Sequence, residues 1–413
     1  MSDLSLALAH AVNAPRLHQT LDELAQFGAR DDGGVNRPAL SAEDLAARAW
    51  LLEHATALGC TVFTDACANL FIRREGQQDL PPVLTGSHID TQPTGGRYDG
   101  CFGVMAGLEC LAALHDLQAE TLRPIELAVW MNEEGTRYSP GAMGSSAFVA
   151  PERLPAYLQS VDSDGISLAA AIAEHSRAFA QLPVRERIAV HAFVELHIEQ
   201  GPVLEQAGLA VGVVSGIQGV RWKQLRCLGS PAHAGTTPMA VRRDAMKLAI
   251  DCVAAIEALA AQLSTPEDLR LTFGRWQVLP NAINTIAGEV IFSVDFRHWD
   301  DAVLAAFDAR LAAALPAHCS AEALFTHAAV AFDAPVVEAI ASACAALQQP
   351  SMPLRSGAFH DAMYLAEHCP TGMIFVPSRD GISHNPNEFT EPRDLEAGTR
   401  VLAHTLLALA NQP

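Results

Sequence analysis

Short apolar runs of strand length recur along the chain, each ending in a polar cluster, with stretches of helical length between them. The opening segment reads as helices. Ser41-Ala-Glu-Asp44 reads as a capped helix start, because the Ser41 hydroxyl can accept one of the amides that the first turn leaves unpaired. The helix is predicted to run through DLAARAWLLEHATAL and to stop at Gly59. Strands are predicted over 69–73, 82–86, 125–131, 192–196 and 373–376, with a helix over 104–117 among the intervening stretches. Alternation of this kind predicts an α/β sheet with helices on its faces. In such sheets ligands bind beyond the carboxyl ends of the strands, where the polar clusters of this chain fall.

The pattern changes between about Gly216 and Val330. There VRWKQLRCLG is followed by a long helix over 242–263, by LTFGRWQV and EVIFSVDFRH, by a helix over 302–315 and by ALFTHAAVAF. That order predicts a compact α+β unit inserted into the first domain, to which the chain returns from about Ala334. The expected division is 1–215 with 331–413 for the first domain and 216–330 for the insert. No internal repeat or low-complexity linker is visible.

Composition narrows the function classes. The chain of 413 residues is half hydrophobic, which suits large cores. A formal charge of −20 with no Lys/Arg run argues against nucleic-acid binding, and any anionic substrate would need a local arginine. The amino terminus MSDLSLALAHAVNAP has neither a basic n-region nor a long apolar stretch, so no signal peptide or membrane anchor is expected and the cytoplasm is the expected location. Nine cysteines without a CxxC pair read as scattered reduced thiols.

Five polar islands stand at the predicted strand ends: GSHIDTQPTGGRYDG (86–100), NEEGTRY (132–138), ELHIEQGP (195–202), SGAFHDA (356–362) and PSRDGISHNPNEFT (377–390). Histidines and carboxylates together suit zinc or a similar divalent ion. In His88-Ile-Asp90 an extended backbone would put both side chains on one face, so Asp90 could orient an imidazole from behind. Asp99 lies in a glycine-rich loop that lets a short carboxylate turn inward. The neighbours Glu133 and Glu134 would point to opposite sides, one towards a metal and one towards a bound water. Eleven other histidines, His175 among them, lie in helical or unremarkable contexts and read as structural.

These islands, in order from Gly86 to Thr390, resemble the M20 family of dinuclear metallohydrolases, and within it the amidase branch of hydantoinase/carbamoylase type. The resemblance spans nearly the whole chain and implies a mixed-sheet catalytic domain with an inserted lid and dimerisation domain, in a homodimer. It implies two divalent metal ions per subunit, zinc first among Zn, Mn, Co and Ni. Asp99 would bridge them, His88 and His197 would complete one site, and Glu134 and His384 the other. Glu133 would be the base. From GSPAHAGTTPM, PNAINTIAG and VDFRH, it assigns His233 and Asn284 to the oxyanion, within the chain or from a partner subunit, and Arg297 to the substrate carboxylate. Gln200 matches a position that contacts substrate.

The activity so implied is hydrolysis of an N-carbamoyl-L-amino acid or N-carbamoyl-β-alanine to amino acid, carbon dioxide and ammonia. The alternatives are an allantoate amidohydrolase, an aminoacylase or dipeptidase of the same family, and a catalytically silent binding protein. Phe359 stands where the branch usually has glycine, which bears on pocket shape, and Gln92-Pro93 leans towards the β-ureidopropionase-like members.

Overall fold

Ser41 does cap a helix: its hydroxyl accepts the Asp44 amide at 3.2 Å, the helix covers Ala42–Ala57, and Gly59 follows with φ +70°. The feature belongs to a computed structural model that describes residues 2–412. In chain order the strands are β1 (Thr61–Thr64), β2 (Leu70–Arg74), β3 (Val83–His88), β4 (Ile125–Trp130), β5 (Ala192–Ile198) and β6 (Val211–Ile217). Then come β7 (Gly219–Leu228), β8 (Arg270–Thr272), β9 (Trp276–Leu279), β10 (Glu289–His298), β11 (Cys319–His327) and the two-residue β12 (Val330–Ala331). Last are β13 (Ser351–Ser356) and β14 (Thr371–Val376).

The chain forms two units, Met1–Gly216 with Phe332–Pro413, and Ile217–Ala331. The first holds a mixed sheet in the order β1-β2-β4-β3-β5-β14-β6, with β13 beside β6. Neighbours in the run β4-β3-β5-β14 are parallel, and the flanking pairs β2/β4 and β14/β6 are antiparallel. Strands with both faces covered read as unbroken apolar runs, and β3, β4, β5 and β14 are buried at every position. On one face Leu127 and Val129 join a cluster with the helix Cys101–Asp116 and with the carboxyl-terminal helix Pro392–Ala410. On the other, Trp130 meets Phe71, Phe148 and Phe193. Each fully buried leucine in these layers contributes roughly 2 kcal/mol. No described helix is long and apolar enough to cross a membrane.

The second unit is a five-stranded antiparallel sheet, order β11-β7-β10-β8 with β9 also on β10. Strand β10 alternates strictly between half-buried and buried positions, the pattern of a sheet covered on one side. The covering helices are Ala245–Leu263 and Asp301–Ala314, the first capped by Asp244, whose carboxylate accepts the Met246 amide at 2.9 Å. LTFGRWQV is two strands rather than one. The chain breaks at Gly274, and β8 and β9 pair with different parts of β10.

Candidate functional site

Because β3, β4, β5 and β14 run the same way, their carboxyl ends share one edge, and four of the five polar islands begin there; SGAFHDA follows β13. Left-handed turns follow three of the four parallel strands: Asn132 and Gln200, two residues past β4 and β5, and His384, eight residues past β14, have φ of 56°, 56° and 54°. Left-handed conformations in residues other than glycine cost about 1–3 kcal/mol each and persist where the surroundings fix them. Here Asn132 is fixed by donating its side-chain amide to the carbonyls of Tyr138 and Pro140 at 2.8 and 3.1 Å.

These turns bring the five residues expected to bind metal together around Asp99. His88, Asp99 and His197 offer ligand atoms within 4.8 Å of one another, and so do Asp99, Glu134 and His384, so Asp99 belongs to both sets. One Asp99 oxygen, Oδ1, is 3.2 Å from His197 Nε2, and the other, Oδ2, is 3.2 Å from His384 Nε2. His88 Nδ1 donates to the Asp90 carbonyl at 2.9 Å and His197 Nδ1 to the Ile198 carbonyl at 2.8 Å. Each ring therefore turns its Nε2 inward. The Gly100 amide accordingly donates to His197 Nε2 at 3.1 Å. Gly100 permits this closeness: with φ +63°, a Cβ there would stand 2.3 Å from His88 Nε2.

The charge balance fits cations. Asp99, Glu133 and Glu134 are buried side chains, and among the described residues none is paired with a Lys or Arg. Burial and the neighbouring Asp99 push Glu134 up to about 8. Burial, then Asp361, Glu134 and Asp99, push Glu133 well above the usual carboxylate range. Burial opposes a charge on His197, but the hydrogen bond and charge of Asp99 outweigh it and raise the ring to about 9. A hydrogen bond to the other Asp99 oxygen raises His384 to about 9, while burial lowers His88 to about 4. A carboxylate-rich pocket with inward-facing imidazole nitrogens, whose protons a cation would displace, is a donor set for divalent ions. Glu133 belongs to neither donor set and lies 3.4 Å from His88 Nε2, while Glu134 lies 3.5 Å from His384.

Asp90 departs from the sequence reading. Its carboxylate is 3.8 Å from His88 Nδ1, too far for a hydrogen bond, and accepts the Glu133 and Glu134 amides at 3.1 and 3.2 Å instead. Strand β3 ends at His88, so the two-residue alternation does not carry on to Asp90, and its carbonyl orients the ring. Gln200 is likewise committed, donating to Asp99 Oδ2 at 2.9 Å and to Ser383 at 3.1 Å.

Two supporting residues, Glu388 and Glu195, escaped the sequence reading. Glu388 accepts the Tyr98 and Asp99 amides at 2.9 and 3.0 Å and the Ser383 hydroxyl at 2.8 Å, which fixes the Asp99 loop. Glu195 accepts the Ser87 hydroxyl at 2.7 Å and the Ala362 amide at 2.9 Å. His360, bonded to Ser356 at 3.0 Å, packs edge-on against His197 at 4.5 Å. Phe359 is half-buried, with its ring 6.0 Å from Tyr364.

In the second unit His233 and Asn284 lie on adjacent loops, joined by the Ala234 amide donating to the Asn284 carbonyl at 2.9 Å. His233 Nδ1 accepts the Gly235 amide at 3.0 Å, so the ring's proton sits on Nε2, ready to donate outward. The Arg297 guanidinium is paired with Asp295, two residues back on β10, at 2.7 Å.

The family model for Peptidase family M20/M25/M40 matches residues 84–408. The chain is 39% identical to an N-carbamoyl-L-amino acid amidohydrolase of Geobacillus stearothermophilus, over 97% of this chain and 99% of that one. It is 35% identical to an allantoate amidohydrolase of Bacillus subtilis, over 94% and 96% of the two chains. Among solved structures it is similar to an amidase of the hydantoinase/carbamoylase family from Burkholderia multivorans. The TM-score there is 0.88 with 43% identity, covering 97% of this chain and 99% of that one.

Proposed function

The chain belongs to peptidase family M20/M25/M40, and from that premise we propose that it hydrolyses the carbamoyl C–N bond of N-carbamoyl amino acids. It is a hydrolase of linear amides. The observation that carries the narrower reading is the pair of donor sets sharing Asp99, with Glu133 beside them and outside both. His88, Asp99 and His197 would hold one divalent ion, and Asp99, Glu134 and His384 a second, zinc being the first expectation. Such ions, when bound, supply Lewis-acid polarisation and make water acidic near neutral pH.

The remaining work falls to the chain's own groups. Glu133 takes the proton of the attacking water and returns it to the leaving nitrogen, which suits a carboxylate whose proton affinity burial has raised. The reading assigns the oxyanion to His233 and Asn284, of this chain or of a second copy in a homodimer. A well-aimed donor of this kind is worth about 3 kcal/mol. Arg297 would grip the substrate carboxylate, which then competes with Asp295 for the same fork. Gln200 acts by holding Asp99.

Allantoate is the second candidate substrate, supported by the 35% identity to an allantoate amidohydrolase. The deciding experiment follows ammonia release from N-carbamoyl-L-amino acids, N-carbamoyl-β-alanine and allantoate, with N-acetyl amino acids and dipeptides as controls. Metal-loaded and chelator-treated protein are compared. Chelator-sensitive release from the carbamoyl compounds supports the first reading. Turnover confined to allantoate, to N-acyl compounds or to dipeptides overturns it.

A further inference from the structure

Away from the candidate active site, the second unit gathers three of the nine cysteines. Strands β7 and β11 are antiparallel neighbours, and their register sets Cys227 directly opposite Cys319. Side chains directly opposite one another emerge on the same face of a sheet. The helix Ala245–Leu263 packs over that face, and its Cys252 thiol comes within 3.6 Å of the Cys227 sulfur. All three sulfurs lie within 4.8 Å of one another. Cys227 and Cys252 are fully buried, whereas Cys319 is half-buried and lines a cleft of about 320 Å3 together with Lys223, Asp308, Leu311 and Ser320.

Buried free cysteines ordinarily serve as small apolar fillers. Three that converge from three separate elements, one of them on an open cleft, make a donor set. With sulfur–metal bonds of about 2.3 Å, three thiolates around one ion in a plane stand about 4.0 Å apart, close to the spacing here. We propose that Cys227, Cys252 and Cys319 form a second metal site, which takes a single thiophilic ion of the copper(I) type in three-coordinate geometry. Soft thiolates select soft ions. The donor set contains no fourth His, Cys, Asp or Glu among the described residues, which disfavours the four-coordinate arrangement of structural zinc. The cleft gives the ion a path to Cys319, and from there to the two buried sulfurs. On binding, each S–H bond is exchanged for a sulfur–metal bond and the protons pass to solvent. No oxidant is required.

The test uses the full-length, reduced protein, titrated with cadmium(II) as a spectroscopic probe and with copper(I) held by a competing chelator. Thiolates give an ultraviolet charge-transfer band on binding cadmium, which the histidines and carboxylates of the other site cannot give. The expected result is a band that saturates at one ion per chain. It is lost in Cys319→Ser and Cys252→Ala and kept in Cys60→Ser, all with unchanged circular dichroism and amide hydrolysis. Copper(I) should bind to the same end point and displace the cadmium band. Absence of the band, or its survival in Cys319→Ser, overturns the proposal. So does conversion of Cys227 and Cys252 to a disulfide in air by a protein that binds neither ion when reduced. Cys319→Ser changes a half-buried residue at the start of an outer strand, and it carries the test if Cys252→Ala proves unstable.

Discussion

Gln92 holds both oxygens of Glu134: its backbone amide donates to Oε1 at 3.0 Å and its side-chain amide to Oε2 at 2.6 Å. Two donors on one carboxylate fix its plane, and partners behind a metal ligand typically govern affinity by 10–100-fold. Gln92→Leu should therefore raise the concentration of added metal needed for half-maximal activity by about that factor, with little change at saturation. An unchanged metal requirement would show that Glu134 keeps its position unaided.

Glu133→Gln separates proton transfer from metal binding. The amide keeps the shape of the carboxylate but cannot take a proton, so turnover should fall by about 10²–10⁴-fold. Metal content, measured by elemental analysis after gel filtration, should match the parent protein because Glu133 stands outside both donor sets. Near-normal turnover would remove Glu133 from the role of base.

Glycine conformation gives a third test. Gly100 and Gly208 both have positive φ, +63° and +66°, but only Gly100 has a neighbour, His88, in the path of a Cβ. Gly208→Ala should cost about 1–2 kcal/mol in urea unfolding, from conformation alone. Gly100→Ala should cost several times that, or displace His88 and abolish activity. Equal losses would mean that the His88 ring yields freely.

Acid stability should depend in part on His175, which belongs to neither donor set around Asp99. Burial, aided by the Arg48 charge, lowers its ring from 6.5 to about 3. The folded state thus binds the proton less tightly than the unfolded chain. The stabilisation is fully present above pH 6.5 and is lost as pH falls towards 3, on the order of a few kcal/mol in total. His175→Leu should flatten that part of the stability curve relative to the parent. Parallel curves would show that the ring titrates normally.

The clustering of the residues expected to bind metal was legible because each lies in a compact island, and the direction of a parallel sheet brings strand ends together. Their supports were not. Glu388 meets Tyr98 from 290 residues away, and nothing local to PNEFT points to that contact. Cys227, Cys252 and Cys319 share no spacing motif; only the register of β7 with β11 and the packing of a helix join them. Asp90 was misjudged for a different reason, because two-residue alternation holds only inside a strand. His175 is buried with its ring 4.8 Å from that of Phe179 and belongs to none of the donor sets found among the described residues.

The position of β14 has a consequence for synthesis on the ribosome. It lies between β5 and β6, yet it is the last strand of the chain to be made. A nascent chain that has emerged as far as Ala331 carries the whole second unit, while β5 and β6 still lack their shared neighbour. Unpaired strand edges are templates for wrong partners. Premature termination between the two units' boundary and Thr371 would thus leave two strands, β5 and β6, with the edges that β14 covers still open.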